Sequence, residues 1–132
     1  LEIELSFEEA EILKDRAEAF LRNAEYLISV SEWDLAIFCI EQYCQLILKY
    51  KLLIKSGSYP RTHSIRELIK RLSLYDRKIE ILLEDENNLL YLTKLEDAYI
   101  VSRYLPRRYD EREVTDTYRF VREVFKPIVD KI

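Results

Sequence analysis

The stretch Ser102-Arg103-Tyr104-Leu105-Pro106-Arg107-Arg108-Tyr109-Asp110-Glu111-Arg112 gathers four arginines, two tyrosines and a proline within eleven residues. Guanidinium forks bind phosphate through paired hydrogen bonds, and tyrosine rings stack on bases. The chemistry these residue types offer is anion or nucleotide binding, with Arg103, Tyr104, Arg107 and Arg108 as the candidate contacts. A competing reading spends the same arginines on Asp110, Glu111 and the acidic first helix, which leaves no charge for a ligand.

His63, the only histidine, stands in Arg61-Thr62-His63-Ser64 just ahead of a helix start. It either packs at that helix end and holds the loop, or contacts an anion drawn there by the backbone donors and Arg61. A lone histidine excludes multi-histidine metal sites and two-histidine acid/base pairs. A single glycine excludes a glycine-rich phosphate loop. Cys39 and Cys44 lie in an apolar stretch with a spacing that suits neither a disulfide framework nor a zinc site, which implies a cytoplasmic chain. No Ser-His-Asp or Cys-His arrangement is signalled. The paired carboxylates Glu8-Glu9 and Glu84-Asp85-Glu86 fall on polar faces or a loop and read as solvated. No metal or cofactor is expected.

The elements that must position these residues are helical. The 132 residues make one domain over 1–132, 48% apolar and 35% charged. One Gly and three Pro are too few turn formers for an all-β sandwich. No apolar run approaches the ~18 residues of a membrane span, and Leu-Glu-Ile-Glu-Leu lacks the basic start of a signal peptide. Absent methionine and dense Glu, Lys and Arg look thermophile-like.

Apolar spacing predicts a first helix over residues 7–30, opened by a Ser6/Glu9 capping box, with Glu18 and Arg22 paired on its outer face. Ser31 is expected to cap a second helix over 32–55, with Asp34 at the third position. That helix is apolar on more than one face, so it is central or covers a dimer surface. Ser56-Gly57-Ser58-Tyr59-Pro60 is a loop. Ser64 and Glu67 form a capping box for a short helix through residue 74. A further helix carries Leu89, Leu92, Leu95, Ala98, Tyr99 and Ser102, breaks near Asp85 and ends by Pro106. The last helix spaces Val114, Tyr118, Val121, Phe125, Ile128 and Ile132, and Pro127 forces a kink or restart. The expected fold is all-α: an antiparallel up-and-down bundle of four main helices plus a short extra one.

The net charge of −4 hides segregation. Residues 49–78 hold nine basic and two acidic residues, whereas 1–48 hold three and eleven. The local field matters more to an anion than the total. If the basic segment and Arg103 share one side, the nucleic-acid reading gains.

Three blocks together resemble the HEPN domain (higher eukaryotes and prokaryotes nucleotide-binding). They are residues 36–49, a Gln-containing helix ending Leu48-Lys49; Arg61-Thr62-His63-Ser64-Ile65 with Leu68; and Tyr99-Ile100-Val101-Ser102-Arg103-Tyr104-Leu105-Pro106. The resemblance, to a small prokaryotic or archaeal member, implies a helical bundle, usually a homodimer. Such members are often encoded beside a minimal nucleotidyltransferase, and some pairs are toxin–antitoxin systems. Many relatives are metal-independent ribonucleases using an Arg, four to six residues, then a His, with the two protomers' motifs facing each other. Arg103 matches the Arg. The His is absent: Arg108, Tyr109 and Asp110 stand in its range. Arginine cannot act as a base, and tyrosine is a poor one near neutral pH.

Three functions follow. The first is an accessory protein that binds nucleotide or nucleic acid and pairs with a nucleotidyltransferase, with tyrosines near Arg103 as candidate targets of transfer. The second is a ribonuclease toxin using Arg103 with Tyr109. The third is a ligand-free helical interaction module.

Overall fold

Every regular element among the described residues is a helix; the computed structural model describes residues 2–132, with side chains from residue 7. In chain order these are α1 (Glu2–Ser29), α2 (Trp33–Ser56), α3 (Ile65–Ser73), a 3-10 turn (Arg77–Glu80) leading into α4 (Ile81–Glu84), and α5 (Glu86–Tyr104). Then α6 (Glu111–Phe120), a π turn (Val121–Phe125) and α7 (Lys126–Asp130) run on without a break. No helix among them is long and apolar enough to cross a membrane.

The first helix starts earlier than its apolar stripe indicates, at Glu2 rather than residue 7. The Ser6 side chain, and with it the expected capping box, lies outside the described residues. Ala10, Leu13, Ala17, Leu21 and Ala24 form the buried seam against α2, and the small alanines let the two helices approach closely. Phe7 joins the stripe by spacing but is exposed. The Glu18–Arg22 pair does not form; both side chains line a cleft together with Arg122, which meets Glu25 at 3.9 Å.

Ser31 does not cap α2. Its φ of 61° is left-handed, its N–H donates to the Ile28 carbonyl, and the Glu32 N–H reaches back to Leu27 at 2.9 Å. That bond pattern closes the C-terminus of α1. Glu32 precedes α2 without a side-chain cap, which releases Asp34 for a distant partner described below.

α2 is the central element and packs on α1, α3, α5 and α6. Its buried residues include Ala36, Ile37, Ile40, Tyr43, Cys44, Leu48 and Leu52. Leu35 and Ile54 are exposed exceptions. Gly57 ends the helix at φ 84°, a conformation that costs glycine little, and its N–H donates to Leu53. At the break near residue 85 the Asp85 carboxylate accepts from the Asn88 N–H and opens α5.

At Pro127 the helix does not stop and restart, as one alternative expected; it continues through a π turn that accommodates the proline. The Lys126 N–H bonds to Val121, five residues back, so the helix widens by one residue just before the proline. Proline then occupies the first turn of α7, where its missing donor is tolerated.

Candidate functional site

The three sequence blocks converge at the end of α5. Tyr99 and Arg103, four apart on α5, share a face. The Arg103 guanidinium carbon lies 4.7 Å from the centre of the Tyr99 ring. The His63 imidazole stacks on the same ring at 4.4 Å and 15°. An imidazole and a guanidinium therefore share one phenol, although they stand forty residues apart in sequence. His63 and Arg103 are both exposed.

Glu96, one turn before Tyr99, sets this register. Its carboxylate accepts the Ser64 hydroxyl at 3.2 Å and the Arg66 backbone N–H at 2.9 Å. It also takes both arms of the Arg66 guanidinium, the nearer at 2.9 Å. Ser64 caps α3 as expected by accepting from the Glu67 N–H. Only half of that capping box forms, because the Glu67 carboxylate turns toward Arg71 at 3.9 Å and the Ser64 backbone N–H donates instead to the Thr62 hydroxyl at 3.1 Å.

A buried carboxylate lies beneath. Glu41 on α2 is 0% exposed. The side-chain amides of Gln42, at 2.7 Å, and of Gln45 donate to it. Burial raises its pKa from the ordinary 4.5 to about 7, while the two amides and the charges of Arg103 and Lys49 pull the other way. Burial in turn lowers the pKa of Lys49, opposed by Glu41. A carboxyl that titrates near neutrality beside an arginine can take or give a proton. The sequence carried one signal for it: Glu41, Gln45 and Lys49 form an i, i+4, i+8 polar line on a helix that is otherwise apolar nearly all round.

The other candidate residues separate from this stack. Arg107 pairs with Glu113 and lies 4.1 Å over the Tyr109 ring. Arg108 pairs with Asp34 at 3.6 Å, and the Tyr109 N–H donates to the other Asp34 oxygen at 2.7 Å. Arg112 pairs with Asp116 at 3.7 Å. These arginines thus meet carboxylates, but not the expected ones: Asp110 caps α6 in a complete capping box with Glu113, and the first helix takes no part. Arg103 has no carboxylate within ion-pair distance among the described residues. Arg61 is exposed in the loop before His63, and Tyr104 is 70% exposed. Burial pushes the Tyr109 phenol above its ordinary pKa, with Arg107 partly opposing, so still less of it stands ready as phenolate near neutral pH.

Two adjoining clefts of about 370 and 320 Å³ flank the 105–109 segment and share Val101, Leu105, Arg107 and Tyr109. Among the described residues no cluster of three His, Cys, Asp or Glu side chains gathers as a metal site.

The arginine near the end of α5, the Thr-His-Ser start of α3 and the buried polar line on α2 stand together in an all-helical domain. The HEPN domain family model matches residues 10–132, and the chain belongs to that family. Membership points to a nucleotide- or RNA-related function. No curated protein and no solved structure matches the chain.

Proposed function

We propose that this chain is a HEPN accessory protein that binds a nucleotide or RNA at the Arg103–Tyr99–His63 stack and pairs with a minimal nucleotidyltransferase in a toxin–antitoxin-like system. The observation that carries the reading is Arg103: exposed, 4.7 Å from the centre of an aromatic ring, and without a described carboxylate in ion-pair distance. A guanidinium in that state keeps its fork for phosphate. His63, within the basic segment 49–78, stacks on the same ring, which favours an anion there. The chain would act in the cytoplasm as a homodimer of antiparallel up-and-down bundles. The exposed apolar side chains of Leu35, Tyr104 and Leu105 beside the arginine segment support that interface. The nucleotidyltransferase rests on the family resemblance.

The experiment is titration of a labelled RNA and of ATP into wild type and Arg103→Ala, with native mass and a lysate pull-down alongside. Binding lost in Arg103→Ala, a dimer mass and a stoichiometric nucleotidyltransferase are expected. Equal affinity in the variant overturns the site, and a clean pull-down removes the partner.

A second reading, metal-independent RNA cleavage, gains from His63 and Glu41. The family's motif histidine is absent after Arg103, yet an imidazole and a near-neutral carboxyl lie around the arginine in space. The exposed His63 imidazole would remove the 2′-OH proton as that oxygen attacks phosphorus, the departing 5′ oxygen would take its proton from solvent, and the fully buried Glu41 would act only through the charge of Arg103. RNA cleavage that is lost in His63→Ala and in Arg103→Ala supports this reading. Cleavage unchanged in both marks contamination.

A further inference from the structure

Tyr43 enters the sequence pattern as one more apolar residue of α2. It is 1% exposed, and its ring packs edge-on to Phe125 at 6.2 Å. Its hydroxyl is buried and has no hydrogen-bond partner. Buried hydroxyls are nearly always paired, so an orphan calls for a cause. This one borders a cleft of about 480 Å³ between α1, α2 and the α6–α7 run, and the charged groups around it are Asp130, Arg122 and Glu18.

The lining of that cleft is rich in cations. Arg122 is matched by Glu25, and Lys126 by Asp130 at 2.6 Å. Lys14, Arg22 and Lys51 also line it and have no described carboxylate within ion-pair distance. Lys14 and Lys51 both lie 5.9 Å from the Tyr50 ring. The Lys51 ammonium donates to the Asp130 carbonyl at 3.4 Å, and burial lowers its pKa. Arg122 sits in the π turn, a widening that recurs at functional sites.

We propose that this cleft is a second ligand site, for a small organic phosphate, distinct from the Arg103 stack. Three unmatched cations suit a multiply charged phosphate better than a monocarboxylate. The volume lies within the ~300–1,000 Å³ of small-molecule pockets and exceeds what inorganic phosphate needs. Arg22 and Lys51 hold the phosphate, the Tyr43 hydroxyl gains its missing partner from the ligand, and Glu18 accepts from ligand hydroxyls.

The test is NMR titration of inorganic phosphate, ribose 5-phosphate and AMP into the full chain, with Tyr43→Phe and Arg22→Ala as variants. Expected are shifts at amides of residues 14–25 and 121–130, stronger for the organic phosphates. Arg22→Ala weakens binding about tenfold, the usual scale of a charge-assisted bond. Tyr43→Phe weakens it several-fold while raising the Tm, because the orphan hydroxyl goes. That pairing of gain and loss is one a merely structural tyrosine does not produce. Shifts confined to residues 61–63 and 99–103 place phosphate at the Arg103 stack alone and overturn the proposal. So does the absence of shifts at ligand concentrations on the order of 10 mM, which leaves the hydroxyl to water. Failure here does not touch the Arg103 site, whose test reads different residues.

Discussion

Arg103 and Arg107 are one helical turn apart in sequence and end in opposite electrostatic states. Both lie over a tyrosine ring, at 4.7 and 4.1 Å. Arg107 also pairs with Glu113, and its neighbour Arg108 pairs with Asp34. Arg103 has an aromatic partner and a buried carboxyl that is only partly ionised at neutral pH. The difference lies in the backbone. Arg103 is the last basic residue of α5 and projects from a regular helix, whereas Arg107 and Arg108 sit in the connection that α6 and the start of α2 must hold down. Charges that tie a loop are spent, while a charge on a rigid helix end is free to be used.

The largest test of this contrast is pH. Between 4.5 and about 7 the folded chain keeps a proton on Glu41 that the unfolded chain has released. Stability should therefore fall as pH rises through that window, by about 3 kcal/mol in all, and level off above it. Glu41→Gln should flatten the curve in denaturant melts taken from pH 4.5 to 8. Superimposed curves for wild type and variant would mean that Glu41 is not the buried titrating group.

Next in size is ligand affinity. Arg103→Ala should weaken RNA or nucleotide binding at least tenfold, about 1.4 kcal/mol, whereas Arg107→Ala should change it less than about threefold. Equal losses would erase the distinction between the two arginines.

Asp110→Ala strikes the tied side instead. Loss of the α6 cap should cost about 1 kcal/mol of stability in chemical denaturation. Affinity at the Arg103 stack should move little. A large affinity loss would show that the 105–110 connection does position the stack.

The smallest effect is expected from Glu113→Gln. The pair is half-exposed, so its Coulomb contribution is worth about 0–1 kcal/mol. Releasing Arg107 should steepen the salt dependence of RNA binding by a fraction of a phosphate contact, if the freed charge reaches the ligand.

The helices were legible because their apolar spacing is dense: Leu92, Leu95 and Ala98 of α5, and Ile65, Leu68, Ile69 and Leu72 near α3, are buried as their periods require. The boundaries that misled are those where one side chain has two possible duties. Ser31 is a standard cap residue by type, yet it occupies the left-handed position that ends the preceding helix. Asp34 looked like part of a cap and instead holds a backbone amide seventy-five residues away. Within the site, Arg103 and His63 were named from their segments, but their meeting on Tyr99 needed the third dimension. Glu41 was hidden because a polar line on a helix reads as solvent-facing until its neighbours cover it. Pro127 was legible as a disturbance, but its accommodation by a π turn was not.

Glu96 ties Ser64 and Arg66, just after His63, to α5 through one carboxylate. Its carboxylate gathers the Ser64 hydroxyl, the Arg66 amide and the Arg66 guanidinium, so none can leave without exposing a half-buried charge that the others still hold. Local opening of residues 64–66 should therefore be a single cooperative event rather than fraying. The hydrogen-exchange rate of the Arg66 amide becomes a clock for that opening beside the imidazole. A ligand that seats on the stack should slow that clock, even though it never touches Arg66.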